Sequence, residues 1–234
     1  MDNKDLIQKV NNAVKIIHKQ AVISPIITGL SGGKDSLVLC QLFKIAGVKC
    51  KYFHLVFMPN LRIDRDLMAY PIARFNIPPE DVYNYVGDGF YLAFRSGLYG
   101  FPIKELRESI KKVRRKDMYT FIAREHKATV CTGVKRVDSI ETMCMIDNNR
   151  GIGIHPLKDW KPADIFSFLK SYRIDLPMLT KKGVRGIGLR DQSINFLYEE
   201  YPDDLEKIEK VFPFVKVAVW KYKYYDLRKD FRIV

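Results

Sequence analysis

The chain has 234 residues, 47% of them hydrophobic, and carries 40 Lys and Arg against 27 Asp and Glu, a formal net charge of +13. That length allows one large α/β domain or one domain with an appendage, and the apolar fraction is enough for a substantial core. No apolar run approaches 18 residues, so no membrane span is expected. The opening Met1-Asp2-Asn3-Lys4-Asp5 has no secretory pattern, and a cytoplasmic protein is expected. The four cysteines (Cys40, Cys50, Cys131 and Cys144) include no Cys-x-x-Cys pair, which argues against zinc or an iron–sulfur cluster. The charge implies an anionic partner. Nucleotide phosphates satisfy that requirement, and so does a nucleic acid.

In chain order, Asp5 to Gln20 reads as an amphipathic helix with Leu6, Ile7, Val10, Val14 and Ile17 near one face. Ile23 to Leu30 is a short β-branched apolar run, the pattern of a buried strand. Leu37 to Gly47 has apolar residues at helical spacing, with Cys40 inside as a packing residue and Gly47 as a C-terminal stop. Between them lies Ser31-Gly32-Gly33-Lys34-Asp35-Ser36. Two glycines at a strand-to-helix turn let the backbone approach a phosphate, and the first amides of the helix then face it. Ser31 and Ser36 add hydroxyl donors and Lys34 a cation. Asp35 either helps to hold magnesium or caps the helix.

Lys49 to Met58 reads as the second strand, with His54 as a core or edge residue. Its end, around Val56 and Phe57, lies where an open α/β sheet binds ligands, which makes this backbone a candidate adenine pocket. Arg65 to Phe75 reads as a helix and Val82 to Val86 as the third strand. Gly87 to Pro102 is aromatic and glycine-rich and is expected to be irregular, either a lid or a packed surface loop. Ile103 to Lys127 reads as one long helix with Leu106, Ile110, Val113 and Phe121 inward. Lys111, Lys112, Arg114, Arg115 and Lys116 lie outward, as a solvated face or a phosphate contact. Ala128 to Val134 is a buried strand that contains Cys131 and ends at Gly133.

The hexapeptide at Ser31 resembles the Ser-Gly-Gly-x-Asp-Ser signature of the PP-loop ATP pyrophosphatase superfamily. It does not have the Gly-x-x-x-x-Gly-Lys-Ser/Thr spacing of the Walker loop. Two further segments resemble the phosphoadenosine phosphosulfate (PAPS) reductase branch, which includes the small subunit of ATP sulfurylase. One is Gly133-Val134-Lys135-Arg136-Val137-Asp138-Ser139. The other is Pro156-Leu157 with Trp160, Asp164 and Ile165 leading into a helix that Pro162 starts. The resemblance spans about Ile23 to about Tyr201. It implies ATP as ligand, magnesium as its ion, and chemistry at the α–β phosphate bond. It also implies phosphate contacts from Ser31, Gly32, Gly33, Lys34, Asp35, Ser36 and Gly133, with Lys135, Arg136 and Asp138 facing the same crevice. Two departures stand out. Lys135 occupies a position where that branch usually has Arg. The last cysteine is Cys144, so attack by a C-terminal thiol is chemically impossible here.

Leu176 to Arg190 sets cations, among them Arg185 and Arg190, between glycines. It is either a second phosphate site or a basic surface loop. Asp191 to Tyr201 and Pro202 to Val219 read as two helices broken at Pro202. The tail, residues 220–232, mixes Trp220, Tyr222 and Tyr224 with Lys221, Lys223 and Arg228. It either stacks on nucleic-acid bases or packs its rings as a terminal amphipathic helix.

The expected fold is a doubly wound α/β domain with a mainly parallel sheet, residues 1–190, and a helical appendage packed on it, residues 191–234. Three functions remain open. The chain could adenylylate an acceptor with release of pyrophosphate. It could bind a sulfonucleotide, or reduce it with a thiol supplied by a partner. It could also be a nucleic-acid-associated regulator that uses the nucleotide as a signal.

Overall fold

Four parallel strands in the order β3-β2-β1-β4 form the sheet of the computed structural model. Residues 3–97, 99–100, 112–148, 153–184 and 186–224 are described. The first half alternates helix and strand: α1 (Asn3–Ile23), β1 (Ile26–Gly29), α2 (Lys34–Ala46), β2 (Lys51–Val56), α3 (Arg62–Phe75) and β3 (Val82–Val86). Then come α4 (Asp88–Ser96), α5 (Arg115–Glu125), β4 (Thr129–Cys131), α6 (Ile140–Asp147), α7 (Pro162–Ser171) and a single turn α8 (Met178–Lys181). Helices α9 (Asp191–Glu200), α10 (Pro202–Val211) and α11 (Val215–Lys223) follow.

Strand alternation decides which helix covers which face. Ile26 and Cys131 point to one side, into a cluster with Ile17 of α1, Leu39 and Phe43 of α2, and Trp160, Ile165 and Phe168 around α7. Tyr52 points to that side too, where Leu67 and Met68 of α3 meet Ile194, Leu197, Leu205, Ile208 and Val215 of the C-terminal helices. Ile27, Phe53 and Val130 point to the opposite side and pack on Ile122 of α5. The sheet therefore has helices on both faces, the doubly wound α/β arrangement. Cys40 and Cys131 are buried packing residues, and burial pushes both thiols up in pKa.

Three expectations are corrected. Gly87 to Ser96 is not irregular: Gly87 and Gly97 cap α4, and Phe90 and Phe94, one turn apart, pack on Phe212. Glycine and aromatic density marked the ends and inner face of a helix. The long helix expected over 103–127 is also different. Residues 103–111 lie outside the described residues, Lys112 to Arg114 is not helical, and the helix starts at Arg115. Its inner residue is Ile122, fully buried, while Phe121 is 54% exposed. The inward set 106, 110, 113 and 121 would have brought the charged Asp117 to the same face, and the helix turns to bury Ile122 instead. Lastly, Pro202 to Val219 is two helices. Pro213 disfavours helical backbone at Phe212 before it, and the chain restarts at Val215.

Candidate nucleotide site

The strand order turns around between β1 and β4. From β1 the chain crosses by α2 to β2 on one face, and it enters β4 from α5 on the other. Loops leaving two such strands part at their carboxyl ends, and the crevice left between them is where open α/β sheets bind ligands. Ser31 to Ser36 follows β1, and Gly133 to Asp138 follows β4, so the two motifs face each other.

The loop after β1 is tight. Gly32 has φ +64°, and a Cβ there would lie 2.8 Å from the Leu67 carbonyl oxygen of α3. Across the crevice, a Cβ on Gly133 would lie 3.0 Å from the Asp35 Cβ. Glycine is required at 32, where the backbone is left-handed and the obstacle is a carbonyl, and at 133 a side chain would press on Asp35. Gly33 is the N-cap of α2, and no side chain caps that terminus. The first-turn amides of a helix have no carbonyl partner inside it, so the positive end of α2 stays available to an anion. Hydroxyls ring it: Ser36 Oγ donates to the Gly33 carbonyl at 2.8 Å, Ser31 Oγ accepts from Gly33 N at 3.3 Å, and the two hydroxyls are 3.4 Å apart.

Lys34 and Lys135 supply the cations. Lys34 Nζ lies 3.3 Å from Asp35 Oδ2. Lys135 is only 3% exposed, and its ammonium faces Asp35 Oδ1 at 3.0 Å, Asp138 Oδ1 at 3.2 Å and the Gly133 carbonyl at 3.4 Å. The Gly133 carbonyl accepts a hydrogen bond from this ammonium, the two carboxylate contacts are ion pairs, and the buried Asp35 Oδ1 has no hydrogen bond among the described residues. Asp138 also accepts from the Lys135 amide at 2.9 Å. Two ammonium groups and two carboxylates leave the cluster formally neutral, so the helix terminus is its remaining positive pole.

Not every expected residue joins this cluster. Arg136 is drawn to Asp147 at 2.6 Å and to Asp159, which fastens the loop to α6 and to the turn before α7. Phe57 packs in an aromatic group with Phe90 and Phe212. Val56 is buried and lines a cavity of about 670 Å³ with Asn60, Asp64, Arg65 and Met68. A second cavity of about 600 Å³ reaches Gly32 between Tyr70 of α3 and Asp175, Met178 and Lys181. Arg190 is the exposed N-cap of α9, with no ion pair or hydrogen bond to the phosphate loop among the described residues, and Arg185 lies outside them. In the basic segment, Arg114 pairs with Asp117 and Arg115 with Asp88, so both charges are answered within the chain. The motif residue Asp164 is also internal. It is 1% exposed, accepts from the Lys161 amide at 2.6 Å at the start of α7, and pairs with Lys9 of α1 at 2.9 Å.

Two histidines near the site are placed more tightly than sequence suggested. His54 is buried below the phosphate loop: its Nδ1–H donates to the Leu30 carbonyl at 2.8 Å, and Nε2 is 3.1 Å from Asp64 Oδ1 on α3. The residue before Ser31 is thus tied to a neighbouring helix. Spacing gave no sign of Asp64, because that pairing is tertiary. His155 meets the Thr132 hydroxyl at 2.8 Å beside the end of β4, and burial, with Lys158 nearby, lowers its pKa.

The sequence matches no protein-family model and no curated protein sequence. Solved structures do match. The NH3-dependent NAD synthetase from Campylobacter jejuni, in complex with the nitrate ion, superposes with a TM-score of 0.50 at 14% identity, covering 96% of each chain. The PAPS reductase from Candida auris, a phosphate complex, superposes with a TM-score of 0.51 at 15% identity, covering 80% of this chain and 95% of that one. At such identities the likeness is one of fold. It is an adenine nucleotide alpha hydrolase-like fold, doubly wound with a parallel sheet as the sequence led one to expect.

Proposed function

We propose that this chain binds ATP and directs attack of an acceptor oxygen or nitrogen on its α-phosphorus. The α–β bridging bond breaks, pyrophosphate leaves, and an adenylylated acceptor remains. The observation that carries the reading is the open N-terminus of α2 at the β1/β4 switch point, with Lys34 beside it and the buried Lys135 across from it. The first-turn amides, Ser31 and Ser36 hold the departing pyrophosphate, and Lys34 neutralises its growing charge. Asp35 and Asp138 fix the Lys135 ammonium in the crevice. Arg136 secures the second loop through Asp147 and Asp159. We assign this role to residues 1–190 and treat residues 191–234 as a helical appendage.

The donor set suits magnesium carried in by the nucleotide. Asp35 and Asp138 are hard oxygen ligands of the kind magnesium takes in ones and twos alongside phosphates and water. When bound, the ion would supply charge neutralisation on the phosphates, and a formally neutral protein cluster leaves that task open. The side chain of Asp35 already faces two ammonium groups, so in this reading it steers the ion as much as it ligates it.

The Pro156-Leu157-x-x-Trp160 element, whose Leu157 and Trp160 pack in the core, resembles the PAPS reductase branch, so the test runs two ligands side by side. Calorimetric titration with ATP–magnesium and with PAPS is expected to show binding of ATP, lost in the Lys34→Ala, Ser36→Ala double variant. Preference for PAPS would overturn adenylylation in favour of a sulfonucleotide protein served by another molecule's thiol. Unchanged ATP binding in the double variant would remove the phosphate loop from the account.

A further inference from the structure

The C-terminal helix α11 has one face that the nucleotide site does not use. Val215, Ala218 and Val219 are buried against α9 and α10 and fix the helix in place. The other face is open: Val217 is 54% exposed, Trp220 57% and Tyr224 44%. These positions, with Lys221, recur at helical spacing and form one stripe. The Trp220 and Tyr224 rings lie next to each other, centroids 5.1 Å apart. An amphipathic helix that merely closes a core would turn its indole inward. This one turns it outward.

The charges that α11 itself carries have one sign. Helix α11 contains Lys216, Lys221 and Lys223 and no acidic residue. Lys223 stands over the Tyr198 ring at 5.0 Å. Two carboxylates of the neighbouring helices meet α11 at its own side chains: Glu209 pairs with Lys216 at 4.0 Å, and Glu199 accepts from the Tyr222 hydroxyl, while Lys221 has no carboxylate partner among the described residues. The whole chain carries +13. An apolar partner would match the rings but not the lysines, and an acidic protein surface would match the lysines but not two adjacent exposed rings. Unpaired bases on a phosphate backbone match both, because every base has a face to stack and every nucleotide a charge.

We infer that the exposed face of α11 is a single-stranded nucleic-acid contact, with Trp220 and Tyr224 as the stacking platform and Lys216, Lys221 and Lys223 as phosphate contacts. It goes beyond the adenylylation reading and does not depend on it. The rings ask for unstacked bases, so a duplex should bind less well.

The test uses the full chain and fluorescence anisotropy with labelled single-stranded RNA, single-stranded DNA and a duplex of the same sequence. Three phosphate contacts predict that affinity for the single strands falls roughly 20-fold between 50 and 200 mM salt. Trp220→Ala is expected to weaken binding about 5-fold or more without changing that slope. Replacing Lys216, Lys221 and Lys223 by Gln is expected to flatten the slope instead. Binding of either single strand more tightly than the duplex supports the inference. Far-UV circular dichroism and urea unfolding of each variant, expected to match the parent, show that the fold is intact. Absence of single-strand binding at 50 mM salt would overturn the inference. So would equal affinity for the duplex, or a parent that sediments as a dimer which Trp220→Ala dissociates, since the stripe would then be a contact between copies of the chain.

Discussion

Two helix termini in this molecule face the same physical problem and solve it in opposite ways. Helices α2 and α3 each begin with amides that have no partner inside the helix. At α3 the protein closes the terminus itself. Asp204 reaches over from α10, 1% exposed, and accepts from Arg62 N at 2.9 Å and Ile63 N at 2.8 Å. Burial alone would raise its pKa, but the two amides and Lys207 more than offset that and hold the carboxyl below its ordinary value. At α2 the cap is Gly33, without a capping side chain, and the nearby carboxylates are held by Lys34 and Lys135. A capped terminus is architecture. In the proposed function the uncapped one, set between glycines at a strand switch point, receives a ligand's phosphates.

The contrast can be broken at either end. The largest effect is expected from Lys34→Ala, Ser36→Ala: at least about 100-fold weaker ATP binding, from two lost charge-assisted contacts, with little change in urea stability. Asp204→Ala should do the reverse, costing about 2–4 kcal/mol in a urea titration by stranding two buried amides, with ATP affinity unchanged. The pH dependence follows the same residue. Its folded pKa is depressed, so its contribution is present above about pH 4 and is lost as pH falls through its lower folded value. Parent and Asp204→Ala should therefore converge in stability toward acid. A smaller effect separates two adjacent cations. Lys135→Met leaves Asp35 and Asp138 facing each other and should cost about 1–2 kcal/mol, discounted for their partial exposure, and weaken ATP binding. Arg136→Ala breaks only partly exposed pairs, costs under about 1 kcal/mol, and should leave ATP binding within about threefold.

Much of this was legible in the sequence. The hexapeptide between a β-branched run and a helical run marked the strand-to-helix turn after β1, and Gly133 to Asp138 marked the turn after β4, because both are local patterns that the sheet then brings together. What remained hidden is tertiary. Nothing in the spacing says that Asp204 caps a helix more than 140 residues earlier in the chain, that His54 is tied to Leu30 and Asp64, or that Arg136 turns away from the crevice. Asp164, within a family-like motif that leads into a helix, serves that helix start and an ion pair with Lys9. In α4, glycines that suggested a loop were the caps of a helix, and in α5 a one-residue difference in phase exchanged Phe121 for Ile122 as the inner residue.

Amide hydrogen exchange with and without ATP–magnesium tests the central claim most directly. The account predicts slower exchange over residues 31–37 and 133–138 on nucleotide addition, and no change at Arg62 and Ile63, whose amides Asp204 already holds. Protection absent from residues 31–37, or appearing only elsewhere in the chain, would contradict it.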